Sequence, residues 1–427
     1  MTSTGSSSSV ATELRSASVD IVVGLTSYND AGTVGAVVAA VRDGLARHFG
    51  GAASRFVLAD CGSSDDSAAR ARDSLRGTGE LLEVPPPLTT TDRLELPYHR
   101  MPGKARALRG ILATAQSLDA RACVVIDAGI ETVTPQWVRW LIDPVLTHGF
   151  DLVAPLYRRH PYEGALTKGI VYPTFRALYG VRLRQPITGE FACSSRMLGR
   201  FLDENVWDRD GAHAGINLWL ASAAVAGDFR IGEAALGVRH HHAHADETLD
   251  LGTTVTQVIG SLFADLEHRV ERWQRVRSSV AVQHFGESAT ETALQPVSVD
   301  PEKLIESYRL GYRELRDIWT WVLPPRTILD LRRLMSGPAA SFRLDDRLWA
   351  TIVYDFALGY RLRVIAREHL LRSLVPLYLA WLASFIVEIR DRGDEDVEQR
   401  LERLCAVFEE QKPYLISKWR WPERVRT

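Results

Sequence analysis

The sequence predicts an α/β fold, a mainly parallel sheet domain followed by an α-helical C-terminal region. Three observations carry this. Short strand-like runs alternate with helix-like patterns through the first half of the chain, the pattern of a parallel sheet with crossover helices. Three of those strands end in polar or acidic segments, at 26–30, 60–66 and 127–131. Beyond about residue 250 strand signals are few and helical periodicity takes over.

In chain order, 19–25 (VDIVVGL) is a β-branched run and 31–49 a helical pattern. A short strand at 56–59 ends in the turn-rich DCGSSDDS, and a helix follows at 67–75. A strand at 81–84 is broken by Pro85, Pro86 and Pro87, and a long loop runs to Pro102. Residues 103–118 read as helix, 122–126 (ACVVI) as a buried strand, and 134–147 as a helix with Pro135 suited to its first turn. Strand character returns at 152–154 and 229–238. Helical patterns cover 251–276, 301–323, 347–369, 371–389 and 395–408, with a loop expected at 278–300. The organisation expected is therefore a disordered tail over 1–18, a catalytic sheet domain over 19–250 and a helical domain over 251–427.

Composition narrows the function. The 427 residues carry a formal net charge of −2, which argues against nucleic acid as a partner, because phosphate binding needs a basic footprint. Cys61, Cys123, Cys193 and Cys405 are scattered without a CxxC, so neither a disulfide framework nor a structural zinc is expected, and the chain reads as cytoplasmic. The first nine residues, MTSTGSSSS, lack the charged and apolar regions of a signal peptide. The longest apolar run, 374–387, holds Pro376 and Ser384 and is short for a span, so a buried helix is expected and integral membrane association is not. Lysine occurs only at 104, 168, 303, 412 and 418, which makes Lys104 and Lys168 conspicuous.

Ligands on open α/β sheets sit outside the carboxyl ends of the strands. The first such loop is Thr26-Ser27-Tyr28-Asn29-Asp30, where Asn29 and Asp30 suit either a base or ribose or a helix cap. The second holds Asp60, Gly62, Ser63, Ser64 and Asp65; Asp60 suits a base N–H, and Ser64 or Asp65 a cap. At 101–108, Gly103 and Lys104 open a helix, a place where backbone N–H groups, the helix dipole and an ammonium favour a phosphate. Asp127, after the buried strand, suits Mg2+ or Mn2+ on a diphosphate. Then come His240, His241, His242 and His244, a solvated run or a source of one metal ligand; His241 is the first choice.

Taken together, SYND, DCGSSDDS, MPGKARALRGI and DAGIETVTPQW resemble the donor site of the GT-A glycosyltransferases, whose fold is a Rossmann-like sheet domain. The resemblance implies a nucleotide-sugar donor, with Thr26, Tyr28, Asn29, Asp30 and Asp60 near its nucleoside, Gly103 and Lys104 near phosphate or sugar, and a divalent metal on Asp127 and His241. Within that fold, the segments 186–192 and 213–217, the late histidine and the helical C-terminal region resemble the mannosylglycerate, glucosylglycerate and glucosyl-3-phosphoglycerate synthases. That likeness implies a homodimer that moves a hexose to a small hydroxy acid such as glycerate with retention, and places Thr188, Gly189 and Glu190 along the sugar and acceptor pocket. Were the reaction inverting, Glu190 would be the candidate base. Two departures stand out: Gly129 replaces the second acid of the family's Asp-x-Asp, with Glu131 or a histidine as its substitute, and Asn217 replaces an acid of the later segment. They leave room for a glycosyltransferase of secondary metabolism with another acceptor, or for a catalytically impaired nucleotide-sugar-binding protein. Lys168, Arg182 and Arg184 are candidates to meet an acceptor carboxylate.

Overall fold

The structure, a computed structural model, describes residues 19–75, 81–85, 97–208, 215–241, 251–287, 294 and 297–422. The expected tail over 1–18, together with His213, Ala214, His242 and His244, lies outside the described residues. The chain forms two compact units, each discontinuous in sequence. The first gathers Met1–Arg158, Ile187–Asp246 and Val282–Ala293; the second gathers Arg159–Pro186, Glu247–Ala281 and Leu294–Thr427. Residues 159–186 thus cluster with the C-terminal helices, and 282–293 with the sheet, where the sequence pattern suggests a single boundary at 250.

The first unit is built on eight strands: β1 (Ile21–Ser27), β2 (Ser54–Asp60), β3 (Leu81–Glu83), β4 (Ala122–Asp127), β5 (Leu152–Arg158), β6 (Phe191–Ser194), β7 (Ile231–Val238) and β8 (Gln283–Phe285). Their order across the sheet is β3-β2-β1-β4-β6-β5-β7-β8. Every neighbouring pair is parallel except those made by β6, which runs antiparallel to β4 and β5. The sheet is mainly parallel, as the alternation of strands and helices requires.

Both faces are buried, which explains the near-continuous apolar runs of β1 and β4. Ile21, Val23 and Leu25 of β1 join one core with Ala122, Val124 and Ile126 of β4, under the helices α1 (Val34–Phe49), α2 (Ser67–Leu75) and the later Pro135–His148. Val22 of β1 with Cys123 and Val125 of β4 join the other core, with α3 (Lys104–Ser117). Successive side chains of a strand point to opposite faces, so the sequence period of two becomes two cores.

The register sets the site. Thr26 of β1 lies opposite Asp127 of β4, and Ser27 opposite Asp60 of β2. The three polar strand ends therefore share one edge of the sheet.

The second unit is helical: Pro301–Val322 and Arg367–Ile389 lie close to the expected ranges, the stretch expected at 251–276 divides into Leu251–His268 and Val270–Arg275, Asp346–Leu362 is shorter than the 347–369 expected, and Asp394–Arg420 runs twelve residues beyond the 395–408 expected. A further helix, Pro325–Ser336, was not anticipated. Its core is aromatic: Trp349 stacks with Trp381 at 6.1 Å, and the Trp349 indole N–H donates to the Gly169 carbonyl at 2.8 Å. Arg367–Ile389 is long and apolar enough to cross a membrane, yet most of its apolar stretch is buried within the protein.

Candidate active site

The loops after β1 and β2 are laced into one rigid rim. Asn29 takes a left-handed backbone (φ 55°), a conformation asparagine tolerates better than most residues. Its N–H donates to Ser63 Oγ at 2.9 Å, and its side-chain oxygen accepts from the Ser64 N–H at 2.8 Å. The Ala31 N–H donates to Asp65 at 3.0 Å. Asp60 accepts from the backbone of Gly62 and Ser63 and from the Ser63 hydroxyl, so its carboxylate holds its own turn. Asn29, Ser64 and Asp65, read from sequence as ligand or cap residues, thus tie two loops together. Thr26 is buried and its hydroxyl makes no hydrogen bond. Tyr28 packs against the α3-side core.

The charged centre lies where β1 and β4 end. Gly103, with φ 63°, turns the chain into α3, and Lys104 occupies the first turn, almost fully buried. Its Nζ is 3.7 Å from Asp127 Oδ2. On the other side His241 Nε2 stands 3.4 Å from Asp127 Oδ1. Burial opposes ionisation of Asp127, but the His241 hydrogen bond and the charges of Lys104, His241 and Arg239 hold its carboxyl well below the usual range. His241 is anchored by backbone: it bridges antiparallel to Ile130, and the Glu131 N–H donates to the His240 carbonyl at 2.9 Å. Glu131 itself is exposed.

Asp30 is the second acid at this edge. It is buried, and its N–H donates to Ser67 Oγ at 2.8 Å. Burial, then the nearby charge of Asp127, push its carboxyl up to about 7. Among the described residues no group of three or more His, Cys, Asp or Glu side chains is disposed to hold a metal ion by itself.

Glu190 sits on the far side of Lys104. Its carboxylate is buried and fully engaged: Arg239 donates to Oε1 at 3.2 Å and the Tyr157 hydroxyl to Oε2 at 3.0 Å. Burial raises its pKa, but the charges of Arg239 and Lys104 and the Tyr157 hydrogen bond together outweigh it, and the net shift is downward. A Cβ on Gly189 would fall 2.5 Å from Lys104 Nζ, so only glycine lets the lysine lie against this turn. Asn217 Nδ2, 3.7 Å from the same point, donates to the Ile187 carbonyl at 3.3 Å. Thr188 completes the turn, half-buried.

The structure therefore brings Lys104, Asp127, His241, Asp30, Gly189 and Glu190 together, and places Thr26, Asn29 and Asp60 on the adjoining rim. Lys168, Arg182 and Arg184 belong to the second unit and have partners there: Lys168 Nζ donates to the carbonyls of His160 and Pro161, Arg182 to Ser279, and Arg184 pairs with Glu398. Arg239 and Tyr157 were missed from sequence. Arg239 was findable: two residues before His241 in extended chain, it points to the same side.

No protein-family model matches the chain. Curated glucosyl-3-phosphoglycerate synthases do: that of Mycobacterium tuberculosis is 29% identical over 263 residues, covering 57% of this chain and 72% of the relative. That of Mycolicibacterium paratuberculosis is 28% identical over 262 residues, covering 57% and 71%. Among solved structures, the M. tuberculosis synthase in complex with Mn2+, UDP and phosphoglyceric acid aligns at a TM-score of 0.42 and 25% identity, covering 60% of this chain and 81% of that one. Mannosyl-3-phosphoglycerate synthase from Rubrobacter xylanophilus aligns at 0.42 and 21% identity, covering 61% and 77%.

Proposed function

We propose, from the premise that this chain is a relative of the glucosyl-3-phosphoglycerate synthases, that it transfers a hexose from a nucleoside diphosphate sugar to a small hydroxy acid of the glycerate or phosphoglycerate kind. The observation that carries the proposal is the line of buried Lys104 and Asp127 and partly exposed His241 at the carboxyl edge of β1 and β4, beside a glycine-opened helix start. Cation, imidazole and first-turn N–H groups there converge on the charge a diphosphate brings.

In this reading the donor's nucleoside lies against the rim formed by Thr26, Tyr28, Asn29, Asp30 and Asp60. Lys104 neutralises phosphate charge that grows as the glycosidic bond to the sugar breaks. Asp127 and His241 would hold a divalent cation, Mg2+ or Mn2+. Such an ion, when bound, supplies further positive charge to the leaving diphosphate. The residues present fit it: an anionic oxygen and an imidazole nitrogen meet, and a glycine leaves the space beside them open.

Glu190 is a poor general base here, because both its oxygens already accept hydrogen bonds and Arg239 stabilises its charge. That favours transfer with retention, in which the acceptor hydroxyl passes its proton to the departing phosphate. Glu190 then serves to fix the Gly189 turn and the sugar against Lys104. We place the enzyme in the cytoplasm, as a homodimer built through the helical unit; light scattering of the purified chain tests the latter.

The test is incubation with UDP-glucose or GDP-mannose, Mn2+ and glycerate or 3-phosphoglycerate, followed by mass spectrometry and by proton NMR of the anomeric signal. A glycosylated acid with the donor's anomeric configuration is expected. An inverted product sinks the retaining mechanism; donor binding without transfer to either acid would move the acceptor elsewhere, the alternative that the loss of an acid at Asn217 supports. No binding of any nucleotide sugar refutes the proposal as a whole.

A further inference from the structure

We propose that Asp30 supplies the carboxylate that Gly129 lacks, so that a divalent cation binds this chain through Asp30, Asp127 and His241. The inference rests on the donor-site reading above and specifies its metal site. Sequence marks Gly129 as a lost ligand. The structure gives that glycine another meaning.

Asp30 is 1% exposed. One oxygen, Oδ2, accepts the Tyr28 N–H at 2.8 Å and the Ser27 hydroxyl lies close to the carboxylate, while Oδ1 is buried with no hydrogen bond of good geometry. A buried carboxylate oxygen without a donor is costly unless something else is to meet it. Its position says what. A Cβ built on Gly129 would lie 2.6 Å from Asp30 Oδ1 and 2.7 Å from His241 Nε2. Both ligand-type atoms thus face the volume that a side chain at 129 would fill. Asp127 closes the third side, its Oδ1 3.4 Å from the same imidazole nitrogen.

The scaffold under this cluster is rigid. Thr33 Oγ1 donates to the Ala128 carbonyl at 2.7 Å and ties the Asp30 loop to the Asp127 loop. The bridge between Ile130 and His241 ties the third loop to the second. Two carboxylates and an imidazole suit Mn2+ or Mg2+-like coordination, with the remaining positions left to diphosphate oxygens. By themselves the three side chains are not disposed to hold an ion; in this proposal the cation and the diphosphate draw them together. Glycine at 129 then makes room for a carboxylate delivered from β1 instead of β4.

The experiment titrates Mn2+ into the metal-free full-length protein, with and without UDP, and reads free Mn2+ by electron paramagnetic resonance. Asp30→Asn keeps the size and the Tyr28 contact. It is expected to weaken Mn2+ binding about tenfold or more. Glu131→Gln is expected to bind Mn2+ as the wild type does. Unchanged Mn2+ affinity in Asp30→Asn overturns the inference. UDP binding is scored separately by calorimetry: its absence from the wild type would overturn the donor-site reading instead.

Discussion

Removing Arg239 while keeping Glu190 tests whether the pair is an electrostatic unit. In Arg239→Met the Glu190 carboxylate loses the group 3.2 Å from Oε1 and keeps only the Tyr157 hydroxyl at 3.0 Å. Stranding one partner of a buried pair costs about 3–5 kcal/mol. Here the arginine side chain is 23% exposed and one hydrogen bond survives, so the lower end, about 3 kcal/mol, is expected at pH 8. The pH dependence has a definite sign. In the wild type the folded-state pKa of Glu190 lies below its unfolded value, so the pair stabilises above the ordinary glutamate pKa and that gain is lost as pH falls. In the variant, burial and the Asp127 charge outweigh what Lys104 and the Tyr157 hydroxyl still give and raise the folded pKa, so stability falls as pH rises. The gap between the two proteins must therefore widen from pH 5 to pH 8. Urea unfolding followed by circular dichroism at both pH values measures it, with Arg239→Met/Glu190→Gln as the control that removes the stranded charge. A loss below about 1 kcal/mol at pH 8, a gap independent of pH, or a double variant no more stable than Arg239→Met would refute the reasoning.

Three further outcomes are expected. Gly189→Ala would push Lys104 Nζ from its place, since the new Cβ would stand 2.5 Å from it; nucleotide affinity by calorimetry should drop about tenfold, the value of one charge-assisted contact, while the melting temperature barely moves because the displaced atom ends a flexible chain. Gly169→Ala, in the second unit, would drive a methyl within 2.3 Å of the Trp381 ring and should lower unfolding stability by about 1–3 kcal/mol in urea, whereas an unchanged midpoint would show that ring free to shift. Burial lowers the Lys168 amine from 10.5 to about 8, so the unfolded chain holds its proton longer and this group makes stability rise with pH between those values, by up to about 3 kcal/mol; Lys168→Met should flatten that part of the stability–pH curve.

The strands that position the site were legible because each is a buried run ending abruptly in polar residues, and the parallel register carries those ends to one edge. The elements that escaped notice lack such a signal. The antiparallel β6 is four residues long and follows directly on the Gly189–Glu190 turn, so it reads as loop; Ser194 then caps a short helix by accepting the Met197 N–H. The edge strand β8 is three residues long and largely exposed, with no apolar alternation to mark it. Pro324-Pro325 reads as a break, yet Pro325 opens a helix, where its missing N–H costs nothing.

The site residues divide along the same line. Lys104 and Asp127 were readable because local chemistry marks them: a glycine-turned helix start and an acid at a strand end. Arg239, Tyr157 and the position of Asp30 depend on contacts between residues far apart in the chain, which no spacing rule encodes. Gly129 shows the difference most sharply. Counted along the sequence it is one carboxylate fewer than an Asp-x-Asp pattern holds. Seen in space, the same glycine lies where the side chains of Asp30 and His241 come together, and any side chain there would collide with both. The charge missing from one loop is present on the neighbouring one, 99 positions earlier in the numbering. A motif count treats a site as a string of residues, whereas a cation responds only to which oxygens and nitrogens surround a point. Two chains can therefore differ at a motif's most recognisable letter and still offer the same ion a similar set of ligands.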